Sequence, residues 1–583
     1  MVQDIRHALR GMRRRPATAV LAVVTLGLGI AASTAMFSVL DTVLLRPLPY
    51  PEPEQVVSIY TRNPQFAGHP TLGFAAARGS FSYPEFRAVR EGAAGILEGA
   101  ALVMTSGAVI YGAGEPERIP LGITNPDLFA RVLRVAPAVG RVFTEEDERS
   151  GASVVLLTEG FWRMRFGGDA DVVGTTLRFG DQPFEIIGVV PHEAHVTGAD
   201  VDAWVLQQPN ENWGDHNTGG VARLARGVSI EQASERLSAM LGAALPAGHA
   251  QHGVNLFPRH ADETRTASGP VWLLAIASIV LLAVACGNVT VLLVGSAIDR
   301  EQELAVRAAL GAGRGRLIRQ LLTESVMLGG AAAGLGTLLA YGATRVLTLL
   351  APPGVPRIGD ASVDLRVLLF AAGTGIVCSI LFGLVPALRF SRTDLRSSTS
   401  VATRGSTAAR SRVQGALVVS ELALATLLLV GAGLLVRTFL ALNALDPGFA
   451  ADATLAVRLT APSSRIAPVA DSDSARIAAV SALYDRVAEE LESVPGVTGV
   501  ALTSNLPLSP DRSNNDVTLE GYDEAVLAER RFVSADYFDV MGIRIVEGRT
   551  FLESEDRPAA IGTVIISEGL ARRAYPDGSA VGR

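Results

Sequence analysis

The sequence predicts a polytopic α-helical membrane protein carrying large extramembrane α+β domains, and three observations carry that reading. Apolar residues make up 49% of the 583 positions and mean hydropathy is +0.31, too apolar for an ordinary soluble chain. Five apolar stretches, at residues 17–45, 271–297, 321–350, 365–388 and 413–442, each exceed the roughly 20 residues needed to cross a hydrocarbon core. Between them arginine-rich and arginine-poor segments alternate, which assigns sides by the positive-inside rule.

Residues 1–16 hold Arg6, Arg10, Arg13, Arg14 and Arg15 and form a cytoplasmic basic N-terminus. The apolar stretch that follows is far longer than the 7–15 residues of a signal-peptide core, so it reads as an uncleaved anchor. At about 1.5 Å per residue it extends roughly 43 Å, more than the roughly 30 Å core, so it must tilt or project from the membrane. PLPYPEPEQ then ends the helix with four prolines and opens an extramembrane domain over residues 46–270.

Strand-like runs in that domain fall at residues 56–60, 100–103, 154–157, 184–190 and 203–206, and helix-like runs at 83–96, 159–166 and 230–245. Ser82 followed by Pro84 is a helix-start signal. The pattern is α+β, arranged in one or two lobes.

The turn at residues 298–320 is basic and amphipathic, and it lies between two spans. Arg300, Arg307, Arg314, Arg316 and Arg319 place it in the cytoplasm, while Leu304, Ala308, Leu310, Leu317, Leu321 and Leu322 recur at helical spacing. A bland reading, a solvated loop that only sets topology, fits these facts equally well. The loop at 351–364 holds a single arginine in PPGVPRIGD and is external; the linker at 389–412 holds six and is cytoplasmic. Residues 443–583 are then external.

Glu421 lies within the fifth span, where a carboxylate must snorkel or face the bundle. Gly330, Gly334 and Gly336 in the third span offer a small-residue packing surface. Cys286 and Cys378 fall in spans and read as small apolar packing residues.

The two external regions are self-similar. Residues 127–133, 140–143 and 154–160 reappear at 536–541, 548–551 and 564–569; Arg163, Phe166 and Gly174 correspond to Arg572, Tyr575 and Gly582, all at an offset of 408 to 410. The unit is therefore one anchor, one external domain and three spans. Its second copy is incomplete at residue 583, so the sequence reads as a fragment of a longer protein.

Several functions are excluded or disfavoured. All 51 basic residues are arginine, so the chain has no Walker A lysine to reach a nucleotide's phosphates. No basic patch lies outside the membrane-flanking turns, which disfavours nucleic acid. His192-Glu193-Ala194-His195 is one residue short of HExxH, and His249, His252 and His260 have no diagnostic metal spacing and read as exposed loop histidines. No catalytic residue, bound cofactor or metal is assigned.

FSVLDTVLLRPLPYPEPEQ (37–55), SYPEF (82–86), GRVF (140–143), ELAVRAALGAGRGRLIRQLLTES (303–325), FGLVPALRFSRTDL (382–395) and DPGF (446–449) together resemble the MacB/FtsX-like ABC permease superfamily. They are most like its duplicated orphan permease branch, of acidobacterial type. The resemblance implies MacB periplasmic-core-like external domains, an FtsX-like permease domain over the second to fourth spans, and a bacterial inner-membrane location. It also implies a coupling helix gripped by a separate ATP-binding-cassette ATPase, with Arg300, Glu303, Arg307, Arg314 and Arg319 as contacts. ATP would be bound by that partner. A membrane-fusion adaptor and an outer-membrane duct are further implied partners, and two linked units would form a pseudo-dimer. The same architecture also suits a regulatory or sensory scaffold that does not transport.

Overall fold

A computed structural model of the protein describes all residues except 1–5, 7–9, 11, 14, 68–72, 112–115, 181, 192–193, 195–200, 214–215, 247–251, 299–313, 353–354, 393–403, 452, 460–472, 510–513, 518, 520–525, 553–561, 577 and 583. The chain divides into two compact units: a larger one holding most of residues 1–436, and a smaller one formed chiefly by residues 437–583.

The larger unit begins with α1 (Pro16–Leu40), whose last turn continues without a break as a π-helical turn over Asp41–Leu45. Val20, Leu21 and Leu28 face outward, as lipid-facing residues do, while Leu26 and Ile30 are buried. Leu26 and Ile30 pack with Val289, Ala332, Ala371 and Cys378, so α1 is the central helix of a bundle. Two extramembrane helices are needed below: α2 (Tyr83–Gly92) and α3 (Ile230–Ala244). The other bundle helices are α4 (Arg265–Ile298), α5 (Arg314–Leu350) and α6 (Leu365–Arg392).

Close approach in the bundle depends on small residues, because lipid offers no hydrophobic contrast to drive association. A Cβ on Gly29 would lie 2.9 Å from Ala285, and one on Gly336 would lie 2.8 Å from Ile30 and 2.9 Å from the Gly27 carbonyl. Gly329 and Gly375 meet across the α5–α6 contact in the same way. Gly330 and Gly334 do not take part, since a Cβ on either meets nothing within 4 Å; of the three glycines expected to pack, only Gly336 does. Side-chain hydrogen bonds add to the packing, from Ser33 Oγ to the Ser278 carbonyl at 3.1 Å and from Ser38 Oγ to the Ser362 carbonyl at 2.9 Å.

A fifth long helix, α7 (Arg404–Asn443), begins within the expected linker. Glu421 on it is half-buried and approaches Gly287 of α4. Among the described residues four helices are long and apolar enough to cross a membrane, and α6 contributes a shorter apolar stretch at Leu365–Leu381. Both cysteines are free and lie in the bundle core.

The extramembrane domain is built on a mixed sheet. Its strands are β1 (Val56–Arg62), β2 (Leu97–Tyr111), β3 (Glu117–Thr124), β4 (Val139–Gly140), β5 (Val154–Thr158), β6 (Thr176–Phe179), β7 (Gln182–Val190), β8 (Ala203–Leu206), β9 (Gly219–Leu224) and β10 (Gly253–Pro258). The order is β10-β1-β9-β2-β3-β8-β5-β7-β4, with β6 joined to β2 and β7. Because successive residues in a strand point to opposite faces, the sheet has two cores. Val57, Ala100, Leu102 and Ala222 face Phe86 and Val89 of α2 and Leu237 and Leu241 of α3. Val56, Ala101 and Val221 face the other way, onto Phe129, Val132 and Trp204.

The strand-like runs at 56–60, 154–157, 184–190 and 203–206 fall on β1, β5, β7 and β8. The helix expected over 83–96 stops at Gly92, and residues 97 onward enter β2. Its start is a capping box: Ser82 Oγ accepts from the Glu85 amide, and Glu85 accepts from the Ser82 amide. His252 and His260 are not exposed loop residues: His252 is largely buried beside β10, and His260 is half-buried on the short helix Arg259–Glu263. His249 and most of 192–195 lie outside the described residues.

In the smaller unit a two-stranded ribbon pairs Asn514–Val517 with Val526–Glu529, and Ser504 and Phe532 bond across an adjoining bridge. A 20-residue helix covers Asp473–Glu492, and a short one covers Glu568–Ala574 with Ser567 as N-cap.

Candidate functional site

The candidate site is the joint where α1 leaves the bundle and enters the extramembrane domain. π-Helical turns widen the backbone and are frequent at functional positions. Here the turn carries Asp41, whose carboxylate is only 6% exposed. Arg46, just past the turn, places Nη2 3.1 Å from Asp41 Oδ2 and 2.7 Å from Asp364 Oδ2. Asp364 immediately precedes α6, and its carboxyl also accepts from the Val367 amide. Partial burial favours its neutral form, but the Val367 amide and the charge of Arg46 outweigh that and hold its pKa below the usual aspartate value. Arg366 adds a longer contact to Asp41 at 3.8 Å.

Arg357, on the loop before α6, reaches the same point from the other side. Its Nη1 donates to the carbonyls of Arg46 at 3.0 Å and Pro47 at 3.4 Å. Phe37 of α1 stacks on Phe370 of α6 with ring centroids 4.0 Å apart and planes 3° from parallel. The top of α1 is thus tied to the start of α6 by charge, hydrogen bonds and an aromatic stack.

Beyond Arg46, residues 47–55 form a strap bound into the domain. Leu48 and Tyr50 are members of the sheet's second core, with Phe129 and Trp204. Arg223 of β9 pairs directly with Val56, and the strand's alternation points its side chain at the strap. It is fully buried and donates from Nε to the Val132 carbonyl at 2.8 Å, from Nη1 to Glu52 O at 3.0 Å and from Nη2 to Pro51 O at 2.8 Å. Burial pulls its pKa below the ordinary arginine value, the nearby charge of Arg134 adding to the effect. Arg134 and Arg226 hold the Glu52 carboxylate from outside. The planar guanidinium suits this task because it can serve three carbonyls at once.

A second attachment descends from β10 through the short helix Arg259–Glu263 into α4. Arg259 and Glu263 pair there, and burial raises the Glu263 carboxyl above its usual range. With α1 and α4 both fixed to the domain and to each other, motion of either helix has a covalent and hydrogen-bonded route into the sheet.

Of the expected coupling residues, Arg300, Glu303 and Arg307 lie outside the described residues. Arg314 opens α5, and Arg319 is exposed one turn later. The joint residues Asp41, Arg46, Arg223, Arg357 and Asp364 were not singled out from sequence. The one available signal was an arginine inside an otherwise small and apolar strand, GGVARL.

Comparison with known proteins agrees with this architecture. The MacB-like periplasmic core domain family matches residues 19–240 and again 415–583, and the FtsX-like permease C-terminal family matches residues 275–395. The macrolide export ATP-binding/permease protein MacB of Hahella chejuensis is 27% identical over 282 residues, covering 46% of this chain and 40% of that protein. The pyoverdine export ATP-binding/permease protein PvdT of Pseudomonas fluorescens is 27% identical over 281 residues, covering 46% and 41%. The chain thus matches about two-fifths of the length of these relatives. The periplasmic region of MacB from Actinobacillus actinomycetemcomitans aligns at 15% identity over 37% of this chain and 92% of that one, with a TM-score of 0.28. With a family match over more than half of its length and a permease domain between the two matched parts, this chain belongs to the MacB/FtsX superfamily, as a membrane permease with extracytoplasmic domains.

Proposed function

We propose that the chain is the permease subunit of a MacB/FtsX-type ABC transporter that carries ATPase-driven motion across the membrane to its extracytoplasmic domain for export. The observation that supports this reading is the joint: α1 passes through the π-helical turn into a strap held by the buried Arg223, a connection through which motion of the helix would reach the sheet. The relatives named as macrolide and pyoverdine exporters support the export part. They are ATP-binding/permease proteins by name; these 583 residues hold no lysine for a Walker A loop, and we assign the nucleotide to an ATP-binding-cassette ATPase that grips Arg300, Glu303, Arg307, Arg314 and Arg319. An adaptor and an outer-membrane duct would complete the export route.

We further propose internal duplication, as in the orphan permease branch, giving a pseudo-dimer within one chain. Three corresponding positions share the left-handed backbone region, which supports this: Arg134 and Gly542 (φ 55° and 64°), Gly140 and Gly548 (76° and 84°), Gly174 and Gly582 (88° and 85°). The double match to the periplasmic core family supports it too.

The test is co-purification of the full gene product from its host in detergent, with and without Arg307→Glu and Arg314→Glu, followed by mass spectrometry. Recovery of a P-loop ATPase that is lost on charge reversal is the expected result. An intact complex that lacks any ATPase overturns the transport reading in favour of a regulatory scaffold.

A further inference from the structure

We infer that Glu85, His216 and His252 form a binding site for one divalent transition-metal ion of the zinc class. The three residues come from remote parts of the chain and are brought together by the fold. Glu85 sits in the first turn of α2, where the Ser82 amide donates to its Oε2 at 2.8 Å. Phe81 and Thr218 exchange two backbone hydrogen bonds, at 2.9 and 3.0 Å, which hold the segment bearing His216 beside that turn. Gly253 of β10 pairs with Arg62 of β1, which sets His252 next to Asn63.

The donor spacing is the decisive geometry. His216 Nε2 lies 3.2 Å from Glu85 Oε2 and 3.3 Å from Oε1, and His252 Nδ1 lies 3.3 Å from Oε1. All three donor groups lie within 4.8 Å of one another. Charge-assisted N–H···O bonds are normally 2.7–2.9 Å, so these contacts are long for a proton shared between imidazole and carboxylate. Donors on adjacent corners of a tetrahedral zinc site, with bonds of about 2.0–2.1 Å, stand roughly 3.3–3.5 Å apart, close to the spacing of the two Glu85–imidazole pairs.

The chemistry of the set agrees with the spacing. Glu85 is fully buried, and among the described residues the two imidazoles are its ion-pair partners. A buried carboxylate requires a compensating cation, and two nitrogens with one oxygen form a borderline donor set suited to zinc. Asn63 Nδ2 lies 2.8 Å from His252 Nε2. If the amide turns so that its oxygen accepts Nε2–H, the imidazole is fixed in the tautomer whose Nδ1 lone pair faces the metal, a common outer-shell arrangement. The His216 side chain is 33% exposed, which gives an ion a route in from solvent. An ion here would tie the start of α2 to the approaches of β9 and β10.

The test uses the full chain, purified in detergent without a polyhistidine tag, stripped with chelator and titrated with Zn²⁺ at pH 7.5. One equivalent is expected to bind, with X-ray absorption giving a nitrogen/oxygen shell at about 2.0–2.1 Å. His216→Ala and His252→Ala should each weaken binding at least tenfold. Glu85→Gln, which can still close the capping box, should do the same while the helix content by circular dichroism stays unchanged. Substoichiometric binding by the wild type overturns the site, as does unaltered binding in the His216→Ala variant, whose partly exposed position keeps the comparison valid if His252→Ala fails to fold.

Discussion

Arg46 and Asp364 stand 318 residues apart in sequence and 2.7 Å apart in space, and Arg46 also holds the buried Asp41 of its own helix. One guanidinium therefore joins the end of α1 to the start of α6. Arg46→Gln should leave Asp41, among the described residues, with the 3.8 Å contact from Arg366 as its cationic partner. We expect a loss of about 1–3 kcal/mol, between the values for exposed and buried pairs, read as a lower Tm in detergent. A double-mutant cycle with Asp364→Asn should give a coupling energy above about 0.5 kcal/mol; strict additivity would show that the two side chains do not act together.

Arg223 should be similarly sensitive. Arg223→Met roughly keeps the volume but removes the donors of the buried bond to the Val132 carbonyl and of the partly buried bonds to the Glu52 and Pro51 carbonyls. The loss should be about 1–3 kcal/mol, and residues 47–55 should become cleavable in limited proteolysis before the rest of the domain. Simultaneous cleavage throughout would show that the strap has no independent dependence on Arg223.

Helix packing gives a paired prediction. Gly336→Val must push α5 away from Ile30 and the Gly27 carbonyl, whereas Gly334→Val projects into open space. The first should lower Tm by several degrees, and the second should be close to neutral. Equal effects would contradict the contact described.

A pH dependence follows from Asp147, the N3 residue of the capping box on Glu145–Ser150. Burial raises its pKa, but bonds from Arg141 and Thr144 outweigh that and place it below the usual aspartate value. Since the folded value is the depressed one, the stabilisation is present above the unfolded value near 3.8 and is lost as pH falls through the folded value. Asp147→Asn should therefore cost about 1 kcal/mol at pH 7 and progressively less below pH 4. A cost independent of pH would contradict the assignment.

Much of the architecture could be read from sequence because its signals are local. The apolar stretches needed only length and composition, and the fully buried run Ala203–Leu206 was apolar throughout. β3, β9 and β10 were missed because Pro120, the Gly219–Gly220 pair and Arg223, and Asn255 interrupt the expected pattern. Two of these interruptions have a tertiary reason: the buried Arg223 holds the strap, and Asn255 Nδ2 donates to the Ala77 carbonyl. The Arg46–Asp364 link could not be read, since the two residues share no local motif. His216 and His252 likewise carry no metal spacing, because the third donor, Glu85, is supplied by the fold.

The most direct test of the lever is hydrogen exchange at residues 48–58 in the membrane complex with its ATPase, compared with and without trapped ATP. ATP is expected to change exchange at the Leu48, Tyr50, Glu52 and Val56 amides in the wild type, and Arg46→Gln to abolish the change while ATPase binding persists. Exchange that ignores nucleotide, or that responds equally in the variant, would contradict transmission through this joint.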